Sequence, residues 1–550
     1  MKRIKEAAAV CLLGLGAYAR FHDLAWQFTH IDDLGPAKTL LDAKFAGASP
    51  WFSVPFSWTY APFQFLFTAL FLQPAQTYRE ILFWGRLPSC AAGIAGLGVF
   101  AWLLRRLYQG DWNKIIFPLA LMTLSLESVI YARQINNYSL GVLAFTLMTA
   151  RVLFSPDKAP STRIQAAASG VLIALLGSMQ YQILFFAPAF FAVCFLRDLR
   201  KDSSPGRIAV LWAPGVLLFA LLAFPLFHFF LQGRAGAGMT GWNAGPEGQY
   251  ALSGASPFEN LAASFVFFLK NTPDVFTSLT GFGAETNPAV RILSGVLVPL
   301  LTAAGISLAV FSKKKGQGSL ALWTSLCFLT YAALVILGKL TFSPTRHVLI
   351  LLPLAALGAG EGLNGLTAFL QKRISSVALL PWMISLAMSL IFILHLPAFY
   401  QERQDVFQED EIAGVLRDYH VDVLLHIDHT LQPVMMKSIT DYFGEREKGW
   451  EIHGVLSNGS GSDETLAWIS HRDHLNPQML AGMQKMVNIF ASTTNAQRIR
   501  EGQKPLPMLT HGPETYRVVY KKEIFSDTEI EYSRKTRNGT NQLFFYVLKR

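Results

Sequence analysis

Two adjacent carboxylates, Asp32 and Asp33, directly follow the first apolar run of the chain. Paired carboxylates at a membrane surface can bind a divalent cation such as Mg²⁺ or Mn²⁺, or one can act as a base while the other orients a substrate. A helix N-cap with solvated loop acids is the alternative for any such pair. The pair is the first candidate for catalysis and for metal binding.

Cations form the second set of candidates. Arg133, with Glu127 nearby, lies at the end of one apolar run, and Arg346-His347, preceded by Lys339, opens a later one. Ionisable residues near a membrane are costly and often functional, and Arg and Lys match the charge of a phosphate. Interfacial anchoring of long side chains is the alternative. These residues are candidates for binding a phosphate group.

Composition shows which elements must position these residues. The 550 residues are 52% hydrophobic and 15% charged, with a mean hydropathy of +0.33, which excludes an ordinary soluble enzyme. Residues 1–396 contain 29 Lys and Arg against 16 Asp and Glu, whereas residues 397–550 contain 18 against 21. The excess of Lys and Arg thus lies in residues 1–396, where it indicates the topology of the chain in the membrane and argues against a nucleic-acid partner.

Apolar runs near the length of about 20 residues that crosses a bilayer predict about eleven transmembrane helices. They lie at 6–21, 88–104, 115–131, 138–154, 164–179, 182–196, 208–231, 291–311, 319–338, 347–366 and 376–396. With the amino terminus in the cytoplasm, the Lys and Arg of every short loop alternate as the positive-inside rule requires. The segment 59–73 is short and interrupted by proline, so we expect a juxtamembrane or re-entrant helix there.

This topology predicts a transmembrane domain over 1–396, with outside loops at 22–86 and 232–290, and an extracytoplasmic domain over 397–550. In the second domain we expect strands near 421–427, 451–455, 516–520 and 543–548, and helices over 408–419, 433–443, 463–470 and 477–490. The predicted fold class is thus a polytopic α-helical membrane protein with a carboxyl-terminal soluble α/β domain.

The order of these motifs resembles that of the GT-C glycosyltransferases, the superfamily of protein O-mannosyltransferases and of the lipid A aminoarabinose transferase. An acidic pair after the first span is followed by four further segments that are similar to the family's. These are Thr59-Tyr60-Ala61-Pro62-Phe63, Arg86-Leu87-Pro88-Ser89, the aromatic turn Tyr131-Ala132-Arg133 to Asn137-Tyr138, and Pro344-Thr345-Arg346-His347. The chain departs from the family at Asp33, Asn137 and Gln180-Tyr181, where relatives often have Glu, an Arg-Pro pair before the Tyr, and His-Tyr.

The resemblance implies a polyprenyl-phosphate-linked sugar as donor and a protein, lipid or glycan as acceptor. It implies an inverting displacement in which Asp32 or Asp33 is the base, with a divalent cation bound by the same pair. Arg133, Lys339, Arg346 and His347 would then bind the donor phosphate. Substrate contacts would come from Tyr60, Asn137, Tyr138, Gln180 and Tyr181.

The expected location is a bacterial cytoplasmic membrane, in contact with membrane lipids, with the active site and the carboxyl-terminal domain on the extracytoplasmic face. Two other classes remain open. A lipid or glycan transporter would carry paired ionisable groups near the middle of its spans, and a non-catalytic scaffold would use its tail to bind partners.

Overall fold

The computed structural model describes sixteen continuous stretches or single positions and a few isolated residues between 481 and 500. The stretches are 2–24, 62–74, 78–154, 161–201, 204–236, 261–281, 288–311, 317–337, 340, 342, 346–404, 409–426, 455–457, 465–470, 516–525 and 542–550. They divide into two compact units. Among the described residues, one unit contains 2–24, 62–74 and 83–397, and the other contains 78–82 and those from 398 onward.

The first part of the helical unit runs through nine helices. They are α1 (Lys2–Phe21), α2 (Pro62–Leu72), α3 (Tyr78–Leu107), α4 (Trp112–Thr123), α5 (Leu126–Ala132), α6 (Tyr138–Leu153), α7 (Arg163–Met179), α8 (Gln182–Phe185) and α9 (Ala187–Leu199).

The later helices are α10 (Pro205–Gly236), α11 (Leu261–Thr280), α12 (Pro288–Ile292), which continues through a π-helical turn at Leu293–Leu297, α13 (Val298–Phe311), α14 (Gln317–Ile336), α15 (Leu352–Gln371) and α16 (Leu380–Gln404). Short 3₁₀ helices precede α15 at Arg346–Leu351 and α16 at Ser375–Leu379.

Six described helical segments are long and apolar enough to cross a membrane. They are Phe83–Leu107, Pro205–Leu226, Pro288–Val310, Gly318–Ile336, His347–Gln371 and Ser375–Pro397. The polytopic helical fold is therefore confirmed. The number eleven stays a prediction, because α6, α7 and α9 have 16, 17 and 13 residues and fall short of a full bilayer crossing. A helix of 11 residues also lies within the segment predicted to be juxtamembrane or re-entrant.

The predicted span 115–131 is two helices rather than one. The axes of α4 and α5 differ by 53°, and the break lies between Thr123 and Leu126. Ser125 causes it locally, since its hydroxyl accepts a hydrogen bond from the Ser128 amide and caps α5. A break of this kind frees backbone carbonyls inside the membrane, and these need donors from elsewhere.

Glycines allow two pairs of helices to approach closely. A Cβ on Gly170 of α7 would lie 2.0 Å from the Gly215 carbonyl oxygen of α10, and one on Gly305 of α13 would lie 1.9 Å from the Gly358 carbonyl oxygen of α15. In lipid, close backbone packing of this kind is a principal source of helix association.

The second unit contains α17 (Glu409–Asp418) and five strands, β1 (Val423–His426), β2 (Val455–Ser457), β3 (Thr465–Ser470), β4 (Arg517–Phe525) and β5 (Gln542–Lys549). They form one sheet in the order β2-β1-β3-β5-β4, in which β1 and β3 are parallel and the other pairs are antiparallel. The α/β organisation is confirmed.

The predicted helix at 463–470 is wrong, because Thr465–Ser470 is the central strand β3. Leu466, Ala467 and Trp468 are all buried, so both faces of this strand are covered. A short run that is apolar on both faces cannot be told from a buried helix by periodicity. The helices predicted over 433–443 and 477–490 lie outside the described residues, apart from isolated positions in the second.

Candidate active site

The predicted site residues divide by whether the structure describes them. Asp32, Asp33, Tyr60 and Lys339 lie outside the described residues, and Arg346 is described in its backbone alone, as the first residue of the 3₁₀ helix. The roles predicted for these residues stay predictions. The described members are Arg133, Asn137, Tyr138, Gln180, Tyr181 and His347.

Arg133 follows α5 and lies against the carboxyl-terminal end of α1. Its Nη1 donates to the carbonyl oxygens of Ala19, at 3.1 Å, and of His22, while its Nη2 donates to that of Asp23 at 3.1 Å. The last carbonyls of a helix lack intrahelical donors and carry partial negative charge. With 1% of its surface exposed, Arg133 therefore caps the end of α1.

Two further buried arginines complete what we call the arginine cluster, Arg20, Arg86 and Arg133. Arg86 donates from Nη1 to the Leu24 carbonyl at 2.9 Å. Arg20 donates to the carbonyls of Gly16 at 2.9 Å and Thr123 at 3.1 Å and to the Ser128 hydroxyl at 2.7 Å. Arg20 thus supplies a donor to the α4–α5 break.

The arginine cluster fixes the direction in which the chain leaves α1. Asp23, whose carbonyl Arg133 binds, has a φ of 51°, a left-handed conformation that few non-glycine residues adopt. Asp32 follows Asp23 by nine residues. The arginine cluster thus holds the last described residues before the segment that contains the acidic pair.

The turn between α5 and α6 is held by side chains from two other segments. The Ser89 hydroxyl donates to the Asn136 carbonyl at 2.6 Å, which ties the Arg-Leu-Pro-Ser segment to this turn. Asn137 and Gln180 form a reciprocal amide pair, with N···O distances of 3.1 and 3.3 Å. A Cβ on Gly141 would lie 2.9 Å from the Gln180 side chain, so this glycine makes room for the pair.

Tyr138 and His347 meet at the same turn. Their rings make an edge-to-face contact with centroids 6.2 Å apart, and Tyr131 lies 5.3 Å from Tyr138 on the other side. The Gln182 amide nitrogen is 3.5 Å from Nδ1 of His347. The turn between α7 and α9 and the 3₁₀ helix before α15 therefore both converge on the start of α6.

Tyr181 has a different environment from Gln180. Its ring packs in an apolar cluster with Leu184 and Ala223, against which Phe219 and Leu226 also pack. Burial raises the pKa of Tyr181 to about 12. The substrate contact predicted for Tyr181 stays a prediction.

Glu127 and Arg133, which sequence reasoning paired, lie at opposite ends of α5. Glu127 is buried in the first turn, where the helix dipole favours a carboxylate, and it accepts a hydrogen bond from the Ser278 hydroxyl of α11. Its neighbour Ser128 binds Arg20 instead. A buried carboxylate beside a broken span is a further candidate for function.

Sequence reasoning missed Arg20, Arg86 and Gln182 as members of this network. Arg86 and Gln182 each carried a signal, since Arg86 opens the Arg-Leu-Pro-Ser motif and Gln182 follows the Gln180-Tyr181 turn by one residue. Arg20 looked like an interfacial charge at the end of an apolar run, and two of its three hydrogen-bond partners given above, Thr123 and Ser128, lie more than a hundred residues away.

A metal site cannot be assigned from the described part of the chain. No group of three or more His, Cys, Asp or Glu side chains in that part is arranged to hold an ion. Asp32 and Asp33 lie outside it, so the predicted divalent cation remains a prediction.

No family model and no curated protein matches this chain. Similar solved structures include ArnT from Cupriavidus metallidurans bound to undecaprenyl phosphate, with a TM-score of 0.47, 12% identity, and coverage of 85% of this chain and 93% of that one. The apo state of the same protein has a TM-score of 0.47 at 12% identity, covering 88% and 95%.

An oligosaccharyltransferase from Archaeoglobus fulgidus, solved in complex with Zn and sulfate, has a TM-score of 0.41 at 12% identity, covering 74% of this chain and 55% of that one. At these TM-scores and identities the likeness concerns the path of the chain and carries no conclusion about activity.

Proposed function

We propose that this chain is a membrane glycosyltransferase of the GT-C type, which transfers a sugar from a polyprenyl-phosphate donor to an acceptor hydroxyl or similar nucleophile. We place the active site on the extracytoplasmic face of a bacterial cytoplasmic membrane. In this proposal residues 1–396 form the catalytic domain, and residues 397–550 form an extracytoplasmic α/β domain.

One observation carries the proposal. The described segments of the motif series contact one another at buried and partly buried side chains, although they are far apart in sequence. Arg86 and Arg133 bind the end of α1, Ser89 binds the turn before α6, Asn137 binds Gln180, and Tyr138 contacts His347. An arrangement that gathers these segments at one place supports a common site for them.

The reaction expected at such a site is a single displacement at the anomeric carbon. The acceptor oxygen forms a bond to that carbon and gives its proton to the carboxylate of Asp32 or Asp33. The bond between the anomeric carbon and the phosphate oxygen breaks on the opposite face, and polyprenyl phosphate leaves with the bonding electrons. The configuration at the anomeric carbon is therefore inverted.

Lys339, Arg346 and His347 are assigned to the departing phosphate, because preorganised donors are most effective where charge develops. The carboxylates of Asp32 and Asp33 are the hard oxygen ligands that Mg²⁺ or Mn²⁺ prefers. A cation bound there would supply positive charge near the phosphate.

Tyr60, Asn137, Tyr138, Gln180 and Tyr181 are assigned to the substrates. Amide groups suit the hydroxyls of a sugar, and aromatic rings suit its apolar faces. The Asn137 and Gln180 amides already bind each other through one N–H and one oxygen each. We therefore expect the pair to shape the substrate site and to bind substrate through the second N–H of each amide.

The experiment is transfer of label from a set of radiolabelled polyprenyl-phosphate sugars to an envelope extract, catalysed by the full-length protein in lipid nanodiscs. Wild type is compared with Asp32→Asn and Asp33→Asn. Asp274→Asn is the matched control, because Asp274 is a half-exposed carboxylate whose ion pair with Arg291 has an N···O distance of 3.8 Å.

We expect labelled product from wild type and the control and a loss of about hundredfold or more in one or both Asp variants. Equal transfer by all four proteins would contradict an Asp base. Absence of transfer, with movement of the lipid donor across vesicles by wild type, would favour a transporter instead.

A further inference from the structure

Tyr131, the next-to-last residue of α5, is a buried tyrosine whose hydroxyl the described fold does not use. It exposes 1% of its surface, and its hydroxyl oxygen is buried with no hydrogen-bond partner among the described residues. Two other polar side chains of α5 bind elsewhere, since Glu127 accepts from Ser278 and Ser128 accepts from Arg20. A buried hydroxyl without a partner costs free energy, so a ligand that pairs with it is favoured.

The ring of Tyr131 belongs to a row of aromatic side chains at the candidate active site. It lies 5.3 Å from the Tyr138 ring, tilted by 58°, and Tyr138 makes the edge-to-face contact with His347. We call Tyr131, Tyr138 and His347 the aromatic row. The Gln182 amide nitrogen, 3.5 Å from Nδ1 of His347, adds a polar group at one end of it. Tyr138 and His347 are half-buried, so a ligand can reach the row at that end.

The chemistry of the aromatic row suits a sugar ring better than a phosphate. Aromatic rings pack against the apolar face of a sugar, and a tyrosine hydroxyl exchanges hydrogen bonds with sugar hydroxyls. A phosphate is bound best by cationic donors, but the guanidinium of Arg133, two residues after Tyr131, donates to carbonyls at the end of α1. Because His347 is assigned to the donor phosphate, a sugar joined to that phosphate would lie along the rest of the row.

We propose that the Tyr131 hydroxyl binds a hydroxyl group of the donor's sugar, and that Tyr131 thereby contributes to the choice of sugar. The inference rests on the proposed function, since it needs a lipid-linked sugar at this site. A buried polar group discriminates against a ligand that cannot pair with it, because the group is then left without a partner. Tyr131 acts on affinity and selectivity in this proposal and takes no part in bond making.

The test compares lipids with and without a sugar, bound to the full-length protein in neutral nanodiscs. The probes are polyprenyl phosphate itself and polyprenyl phosphate linked to glucose, mannose, galactose or N-acetylglucosamine. Their dissociation constants are measured by native mass spectrometry, and melting temperatures are recorded in parallel. Tyr131→Phe removes the hydroxyl and keeps the ring. Tyr108→Phe is the matched control, because Tyr108 is also buried and follows the opposite end of α3 from Arg86 and Ser89.

We expect wild type to bind at least one sugar-linked lipid more tightly than polyprenyl phosphate. Tyr131→Phe should lose about three- to tenfold in affinity for that lipid, the loss of one neutral hydrogen bond, and should bind polyprenyl phosphate like wild type. Without lipid, the melting temperature of Tyr131→Phe should equal or exceed that of wild type, because the hydroxyl has no described partner to lose. Tyr108→Phe should bind every lipid like wild type.

Deoxy analogues of the preferred sugar make the test specific to one hydrogen bond. Among analogues that each lack one hydroxyl, one should bind wild type about as weakly as the parent sugar binds Tyr131→Phe. That analogue should bind wild type and Tyr131→Phe equally, because one side of the pair is already absent.

Three results would overturn the inference. The first is that wild type binds every sugar-linked lipid no more tightly than polyprenyl phosphate. The second is an equal loss of affinity for polyprenyl phosphate in Tyr131→Phe, which would indicate a contact with the phosphate. The third is unchanged affinity with a lower melting temperature, which would show that the hydroxyl supports the fold, for example through a water molecule.

Failure of the proposed function gives a different result. A sugar preference that depends on Tyr131, without transfer of any sugar to the envelope extract, would support this inference and contradict a transferase.

Discussion

Arginines lie at both ends of helix α6, buried at one end and partly exposed at the other, and the groups that receive their hydrogen bonds are different. At the end that begins with Tyr138, Arg20, Arg86 and Arg133 donate to backbone carbonyls at the end of α1 and at the α4–α5 break. At the end near Leu153, Arg197 and Lys201 pair with the buried carboxylate of Asp198, and Arg151 donates to the Ser169 hydroxyl.

This difference separates two ways in which the chain stabilises a cation. Carbonyls freed at a helix end need donors inside a membrane, so arginines that supply them belong to the structure itself. At the other end a carboxylate of the chain, that of Asp198, lies beside Arg197 and Lys201 and offsets their charges. The comparison assigns a positioning role to the arginine cluster and a charge-balancing role to Asp198.

The largest expected effect is on the free energy of unfolding, and it distinguishes the arginines at the two ends of α6. Arg20→Met removes the donor for the Gly16 and Thr123 carbonyls, and we expect it to lower the free energy of unfolding by about 3–5 kcal/mol. Arg151→Met, the matched variant at the other end, removes a hydrogen bond to the Ser169 hydroxyl from a partly exposed guanidinium and should cost about 1 kcal/mol. Thermal unfolding measures both, and equal losses would break the comparison.

A smaller effect concerns pH. Burial raises the pKa of Tyr181 from its ordinary value near 10 to about 12. Between about pH 10 and pH 12 the Tyr181 hydroxyl therefore keeps its proton in the folded chain and loses it in the unfolded chain. Stability contributed by Tyr181 is thus present below pH 10 and is lost as pH rises through this window. The unfolding free energy should fall by about 1.4 kcal/mol per pH unit.

Tyr181→Phe should remove that slope while other tyrosines continue to titrate, so the measurement is the difference between wild type and variant from pH 9 to 12. The Arg151→Gln variant should show the wild-type slope. An unchanged slope in Tyr181→Phe would show that another group titrates.

The smallest effect is the coupling between Asn137 and Gln180. A double-mutant cycle of Asn137→Ala and Gln180→Ala should give a coupling free energy of about 1 kcal/mol, in line with a paired buried amide. Additive effects would show that the pair contributes shape alone.

Much of the helical unit was predictable because long apolar runs alone define the helices that can span a bilayer. The break at Ser125 was not, since the serine lies in an apolar run and the Arg20 guanidinium that stabilises the break comes from α1. Strand β3 was mistaken for a helix because both of its faces are buried.

For the site, the structure places Asn137 beside Gln180 and Tyr138 beside His347, and the sequence had named all four as candidates without pairing them. It could not show that the bonds of Arg133 run to α1, because a charge next to a span looks the same whether its partner is a phosphate or a carbonyl. That information lies in contacts between residues more than a hundred positions apart.

The most direct test of this account separates binding from chemistry in an Arg133→Gln variant. Donor affinity and the single-turnover transfer rate at saturating donor are measured in nanodiscs, with Arg133→Lys for rescue and Arg346→Gln for comparison. If Arg133 positions the end of α1, the transfer rate at saturating donor should fall about hundredfold, because a displacement of catalytic groups by about 1 Å lowers a rate by this much. Donor affinity should stay close to that of wild type. Loss of donor affinity with an unchanged saturating rate would contradict the account and show that Arg133 binds the donor phosphate.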